Sequence, residues 1–172
     1  MVIHRPIRDW PYPLLFWHNM PTMLDTLLKA GDKAPKFTLK TNQGQETNLT
    51  DLIGKHPVIL IFYPGDMTPG CTIQLCNIRD DWAKFKQAKA MVFGVNHADA
   101  ESHNRFADKY SFPFPLLIDK DKKVSKKYGA IKKIFTATVI KRTVVIIGKD
   151  GLIKFYRHGM PKDTELLKAL TK

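Results

Sequence analysis

At 172 residues, the chain suits one domain able to bury a hydrophobic core. Hydrophobic residues make up 44% of it, and no apolar run approaches the roughly 18–20 residues of a membrane helix. The formal charge of +12 is scattered over Lys84–Lys89, Lys120–Lys127 and Lys132–Lys133, in patches too poor in aromatics to stack bases, so neither nucleic acid nor a membrane is an expected partner.

Residues 1–30 read as an N-terminal extension outside the domain. Pro6, Pro11, Pro13 and Pro21 interrupt any long element there, and Leu14–Trp17 is too short for the apolar core of a secretory signal. Met20 and Met23 offer later starts, and Thr22–Lys29 is expected to make a helical turn ending at Gly31. The placement that follows is cytoplasmic.

From Gly31 to the C-terminus the pattern is regular. Phe37–Leu39 and Glu46–Leu49 form a hairpin about the turn Asn42-Gln43-Gly44, followed by a helical turn at Asp51–Ile53. Val58–Tyr63 is a continuous β-branched and apolar run, the pattern of a strand buried on both faces. One helix is expected from Gly70 to Gln87, with Ile73, Leu75, Ile78, Trp82 and Phe85 near helical spacing. Met91–Val95 is a strand, Ala100–Tyr110 a helix, Leu116–Ile118 a short strand and Lys122–Tyr128 a helix stopped by Gly129. Thr143–Ile147 and Leu152–His158 pair about Lys149-Asp150-Gly151, and Asp163–Leu170 closes the chain as a helix. This order implies an α/β fold, a mixed sheet covered on both faces, resembling a thioredoxin-like fold with an added N-terminal hairpin and flanking helices.

The chemistry concentrates in Tyr63-Pro64-Gly65-Asp66-Met67-Thr68-Pro69-Gly70-Cys71, between a buried strand and a helix. Two cysteines are too few for a disulfide scaffold, so they read as working thiols or as small buried hydrophobes. Cys71 falls in the first helical turn, where free N–H groups and the helix dipole favour the nucleophilic thiolate. Thr68 can offer a hydroxyl, the amides around Gly70 and Cys71 can donate hydrogen bonds, and Pro64 would shield the sulfur and stiffen the loop. Cys76 lies five residues on, a rise of about 7.5 Å along a helix. Disulfides hold Cα atoms about 4.4–6.8 Å apart, so a bond between the two would require the first turns to unwind.

Pro64, Thr68 and Cys71 match the Pro-x-x-x-Thr-x-x-Cys signature of peroxiredoxins, and Thr68-Pro-Gly-Cys-Thr with a second cysteine at 76 resembles the Q-type (bacterioferritin comigratory protein) subfamily. Gly31-Asp32-Lys33-Ala34-Pro35, Pro115–Asp119 and Val124–Gly129 resemble further family landmarks. The resemblance implies a thiol peroxidase acting on hydrogen peroxide and organic hydroperoxides without a cofactor or metal. Cys71 would be the peroxidatic residue, oxidised to sulfenic acid, and Cys76 the resolving residue that forms an intramolecular disulfide, reduced by a thioredoxin-type dithiol. Arg142 would stabilise the thiolate and polarise the peroxide, and the protein would be a monomer. The chain departs from the family at Gly65-Asp66-Met67, at Asn96-His97 and at Thr143-Val144-Val145.

Competing readings are weaker. A disulfide oxidoreductase of thioredoxin type would carry Cys-x-x-Cys and a proline just before the Thr143 strand, where Lys141-Arg142 stands. A basic binding protein lacks any nucleic-acid motif. His97 and His103 match no compact zinc spacing with the cysteines. Asp80, Asp81 and Asp119 read as helix-surface or strand-end charges.

Overall fold

Five strands make the central sheet of the computed structural model, which describes residues 28–171. In chain order the elements are β1 (Thr38–Lys40), β2 (Glu46–Asn48), α1 (Leu49–Leu52), β3 (Val58–Phe62), α2 (Pro69–Asp80), α3 (Trp82–Gln87), β4 (Met91–Asn96) and α4 (Ala100–Tyr110). Then follow β5 (Leu116–Ile118), α5 (Lys123–Lys127), β6 (Ile131–Ile134), β7 (Ala137–Ile140), β8 (Thr143–Ile147), β9 (Ile153–His158) and α6 (Asp163–Leu170). The sheet order is β5-β4-β3-β8-β9, parallel across β5, β4 and β3 and antiparallel at β8 and β9. This is the expected mixed sheet. The helical turn foreseen at Thr22–Lys29 lies, but for its last two residues, outside the described part.

The apolar run at β3 is explained by what covers it. Ile59, Ile61 and Tyr63 pack with Cys71, Leu75 and Ile78 of α2, Phe85 of α3, Phe106 of α4 and Leu166 of α6. Val58, Leu60 and Phe62 face the other way, onto Leu49, Val124 and Tyr128. Every β3 side chain is buried, and each contributes about 1.5–3 kcal/mol by leaving water. A strand so covered has no polar face to show, which is why its sequence does not alternate.

Two features differ from the sequence-based expectation. The helix expected over Gly70–Gln87 is broken at Asp81, whose φ/ψ of −92°/13° leaves the helical range. Aspartate is a weak interior helix former and a good helix starter, and the pair Asp80-Asp81 supplies two in succession. The bend brings Trp82 to within 5.8 Å of Phe114, ring centre to ring centre. Between Gly129 and Arg142, β6 and β7 pair as a separate hairpin. Its turn, Phe135-Thr136, lacks the Gly, Asn or Asp that marks such turns, and Phe135 takes the left-handed conformation at φ 52°.

Asp163, the first residue of α6, is pushed up to about 6 by burial first and then by Asp81; Lys84 pulls it back, and Asp80 adds a smaller push. A raised carboxyl favours the folded state while it is protonated, and that contribution is lost as pH rises through the window from the ordinary value to about 6. The group is half-buried, so solvent screening reduces the cost of its charge to about 1 kcal/mol. Asp163→Asn is expected to raise the thermal midpoint by a few degrees at pH 8 and to leave it unchanged at pH 4. Scanning calorimetry at the two pH values checks this; an equal shift at both would refute the ionisation argument.

Candidate active site

The loop after β3 delivers α2 with its N-terminus beside the central sheet. Thr68 is the N-cap residue in an extended conformation, Pro69 occupies the first helical position, and Cys71 sits in the first turn as expected. Proline there fixes φ and spares an N–H that would have lacked a partner anyway. The Thr68 hydroxyl donates to the Gly65 carbonyl at 3.1 Å and makes no capping bond to the helix. The first-turn amides of Gly70 and Cys71 are therefore not taken by the cap, and they retain their attraction for an anion.

Cys71 is fully buried and Cys76 half-buried; both are free thiols on the one helix. Arg142 reaches Cys71 from the residue before β8, its Nη2 3.5 Å from Sγ. The antiparallel pairing of Phe62 with Thr143 is what brings these distant segments together: it sets the start of β8 against the end of β3, so Arg142 faces the loop that begins at Tyr63. Gly70 matters to the same contact. A methyl group there would lie 3.0 Å from the Arg142 Cζ and closer still to Nη2, so a side chain at this position would push the guanidinium out of its present place. Pro64 and Arg142 also line a cleft of about 390 Å³ together with Ile134, Val139 and Ile140 of the β6–β7 hairpin. Of the five residues singled out in the sequence, Arg142 meets the Cys71 sulfur, Thr68 is the N-cap residue of the same helix, Pro64 lines a cleft with Arg142, and Cys76 lies further along α2.

A second cluster adjoins the first and was not read from the sequence. Asp66 Oδ1 accepts from the Tyr63 hydroxyl at 2.9 Å and from Asn96 Nδ2 at 2.7 Å. Its Oδ2 accepts from Ser102 Oγ at 2.7 Å and lies 2.9 Å from His103 Nδ1. The two acidic oxygens and the His103 ring are almost wholly buried, at 4% and 0% side-chain exposure. Burial alone would push the Asp66 carboxyl up; the donors His103, Ser102 and Tyr63 outweigh it and hold the group below the usual carboxylate range. The Tyr63 hydroxyl moves the opposite way, well above its ordinary value, through burial first and then the Asp66 charge. Two departures from the family pattern, Asp66 and Asn96, are therefore partners in one network. His103 belongs to that network too. Asp119 is a strand-end charge as expected, but a buried one: it accepts from the amides of Val124 and Ser125 and starts α5.

The AhpC/TSA family pattern matches residues 30–156. The chain is 43% identical over 125 residues to the chloroplastic peroxiredoxin Q of Triticum aestivum, a match covering 73% of this chain and 57% of that protein. It is 42% identical over 130 residues to the putative peroxiredoxin bcp of Coxiella burnetii, covering 73% of this chain and 85% of that one. The chain thus spans less than two thirds of the wheat relative and most of the bacterial one. The crystal structure of the peroxidoxin BcpB of Mycobacterium tuberculosis superposes with a TM-score of 0.77 at 28% identity, over 84% of this chain and 97% of that one. These relatives come from bacteria and from chloroplasts, and among the described residues no helix is long and apolar enough to cross a membrane. The chain belongs to the AhpC/TSA family, and within it to the peroxiredoxins of the Q, or bacterioferritin comigratory protein, type.

Proposed function

We propose that residues 31–172 form a thiol peroxidase that reduces hydrogen peroxide and organic hydroperoxides, acting as a monomer in the cytoplasm. The observation that carries this reading is the Cys71 sulfur at the uncapped N-terminus of α2 with the Arg142 Nη2 at 3.5 Å. Positive charge converges on that sulfur from the guanidinium and from the helix end, which favours the thiolate and holds an approaching peroxide oxygen. The thiolate attacks one peroxide oxygen and the O–O bond breaks. The second oxygen leaves as water or an alcohol once protonated, and Cys71 becomes a sulfenic acid. Pro64 keeps bulk water from the sulfur, and Thr68 offers its hydroxyl oxygen at the rim of the loop.

The Cys76 thiolate then attacks the sulfenic sulfur, water departs, and a Cys71–Cys76 disulfide forms. Five residues of helix separate the two, so α2 unwinds at its first turns for this step and rewinds when a thioredoxin-type dithiol reduces the bond. The experiment is Cys76→Ser. A single equivalent of peroxide should still oxidise Cys71 at the wild-type rate, whereas turnover with thioredoxin, its reductase and NADPH should fall about 100-fold or more. Undiminished steady-state turnover of Cys76→Ser would show that an external thiol resolves the sulfenate, and the two-cysteine cycle would be discarded.

A further inference from the structure

The loop that presents Cys71 has an unfavourable backbone. Met67 lies in the left-handed region at φ 58°, where a residue with a long side chain is strained, and its side chain is 41% exposed, so packing does little to hold it. Strained residues persist only where their surroundings over-determine them. The neighbouring residue supplies that: Asp66 is fastened through all four of its hydrogen bonds to Tyr63 directly after β3, to Asn96 at the end of β4 and to Ser102 and His103 in the first turn of α4. Three rigid elements thus fix one carboxylate. Because Asp66 is an acceptor only, His103 presents Nδ1–H to it, which sets the ring's tautomer.

We infer that Asp66 and His103 are positioning residues for the peroxidase reaction. Their clamp holds Met67 in its strained conformation and so fixes Thr68, Pro69 and the start of α2 where Cys71 meets Arg142 and the peroxide. The inference rests on the peroxidase reading above. With the clamp released, Met67 relaxes to an ordinary φ, the residues after it shift, and the sulfur and the first-turn amides no longer align on the O–O bond. The sulfur keeps its place in the first turn of α2 after that shift; its alignment on the peroxide is lost.

This separates two rates. Peroxide reduction needs alignment of sulfur, guanidinium and amides, whereas alkylation of Cys71 by iodoacetamide, read by mass spectrometry in the Cys76→Ser background so that Cys71 is the thiol scored, needs only that the reagent reach the sulfur. In Asp66→Asn the amide NH2 meets donors in place of an acceptor, and the second-order rate with hydrogen peroxide is expected to fall about tenfold or more while the iodoacetamide rate stays within about twofold. His103→Leu, measured in case Asp66→Asn does not fold, should behave the same way. His103→Gln, which can keep an N–H on Asp66, should stay within about threefold of wild type. Adding Met67→Asn to Asp66→Asn should recover at least about threefold of the lost rate, because asparagine tolerates the left-handed region. The inference is overturned if both single variants, folded by circular dichroism, reduce peroxide within threefold of wild type. It is equally overturned if the peroxide and iodoacetamide rates fall together, or if Met67→Asn restores nothing. A wild-type protein that does not consume peroxide would instead overturn the underlying peroxidase reading.

Discussion

Replacing Cys71 with serine is expected to abolish peroxide consumption, a loss of about 10³-fold or more in kcat. The substitution exchanges sulfur for oxygen at a fully buried position of α2 packed against Ile59, Ile61 and Tyr63, so the fold should survive with little change in unfolding midpoint. What disappears is the nucleophile. A serine hydroxyl is scarcely ionised at neutral pH, even beside Arg142, and it cannot pass through a sulfenic acid to a disulfide. NADPH oxidation coupled through thioredoxin and its reductase measures the effect directly. Full activity in a folded Cys71→Ser protein would remove the basis of the mechanism proposed here.

The second large effect is at Arg142. Its Nη2 is the side-chain donor that reaches the Cys71 sulfur, and its plane rests where Gly70 leaves room. Arg142→Ala should lower the second-order rate with peroxide by about 10²–10³-fold, the range found when one preorganised donor is taken from a developing charge. Arg142→Lys should recover only a small part of the rate. An ammonium is a point charge on a flexible stem, and it cannot lay a planar fork of donors across the Gly70 backbone. Stopped-flow mixing of the reduced variants with hydrogen peroxide gives these rates. If Arg142→Lys matched wild type, positive charge alone would suffice, and the planar contact with Gly70 would have no catalytic meaning.

Much of this was legible in the sequence because the signals were local. The Val58–Tyr63 run, the helix start expected at Gly70, one residue after the observed Pro69, and the ends of α4, β5, β8 and α6 each follow from composition within a few residues. Pro64, Thr68 and Cys71 share one short stretch, so their convergence needed no knowledge of the sheet. Arg142 was reachable only through the family resemblance, since its approach depends on β8 pairing with β3 across 80 residues of chain. The Asp66 network escaped for the same reason without that aid. Asp66 and Asn96 stood out as departures from the pattern, but nothing in sequence alone says that Asn96 and His103 point at one carboxylate. The β6–β7 hairpin went unseen because Phe135 takes a backbone conformation that phenylalanine seldom signals. The break at Asp81 was visible as two consecutive aspartates but was outweighed by apolar spacing that ran through it.

That break has a bearing on how the molecule ages through repeated use. Had Pro69–Gln87 been one continuous rod, pulling its first turns apart would have worked against every hydrogen bond and contact down to Phe85. With Asp81 as a joint, α3 is seated on the sheet through Phe85 and against Phe114 through Trp82, so the unwinding proposed for the first turns of α2 would leave it in place. The joint acts as a firebreak. In the proposed cycle the disorder demanded by each disulfide would go no further than the twelve residues of α2, and the remainder of the domain would be a standing template on which its first turns wind back.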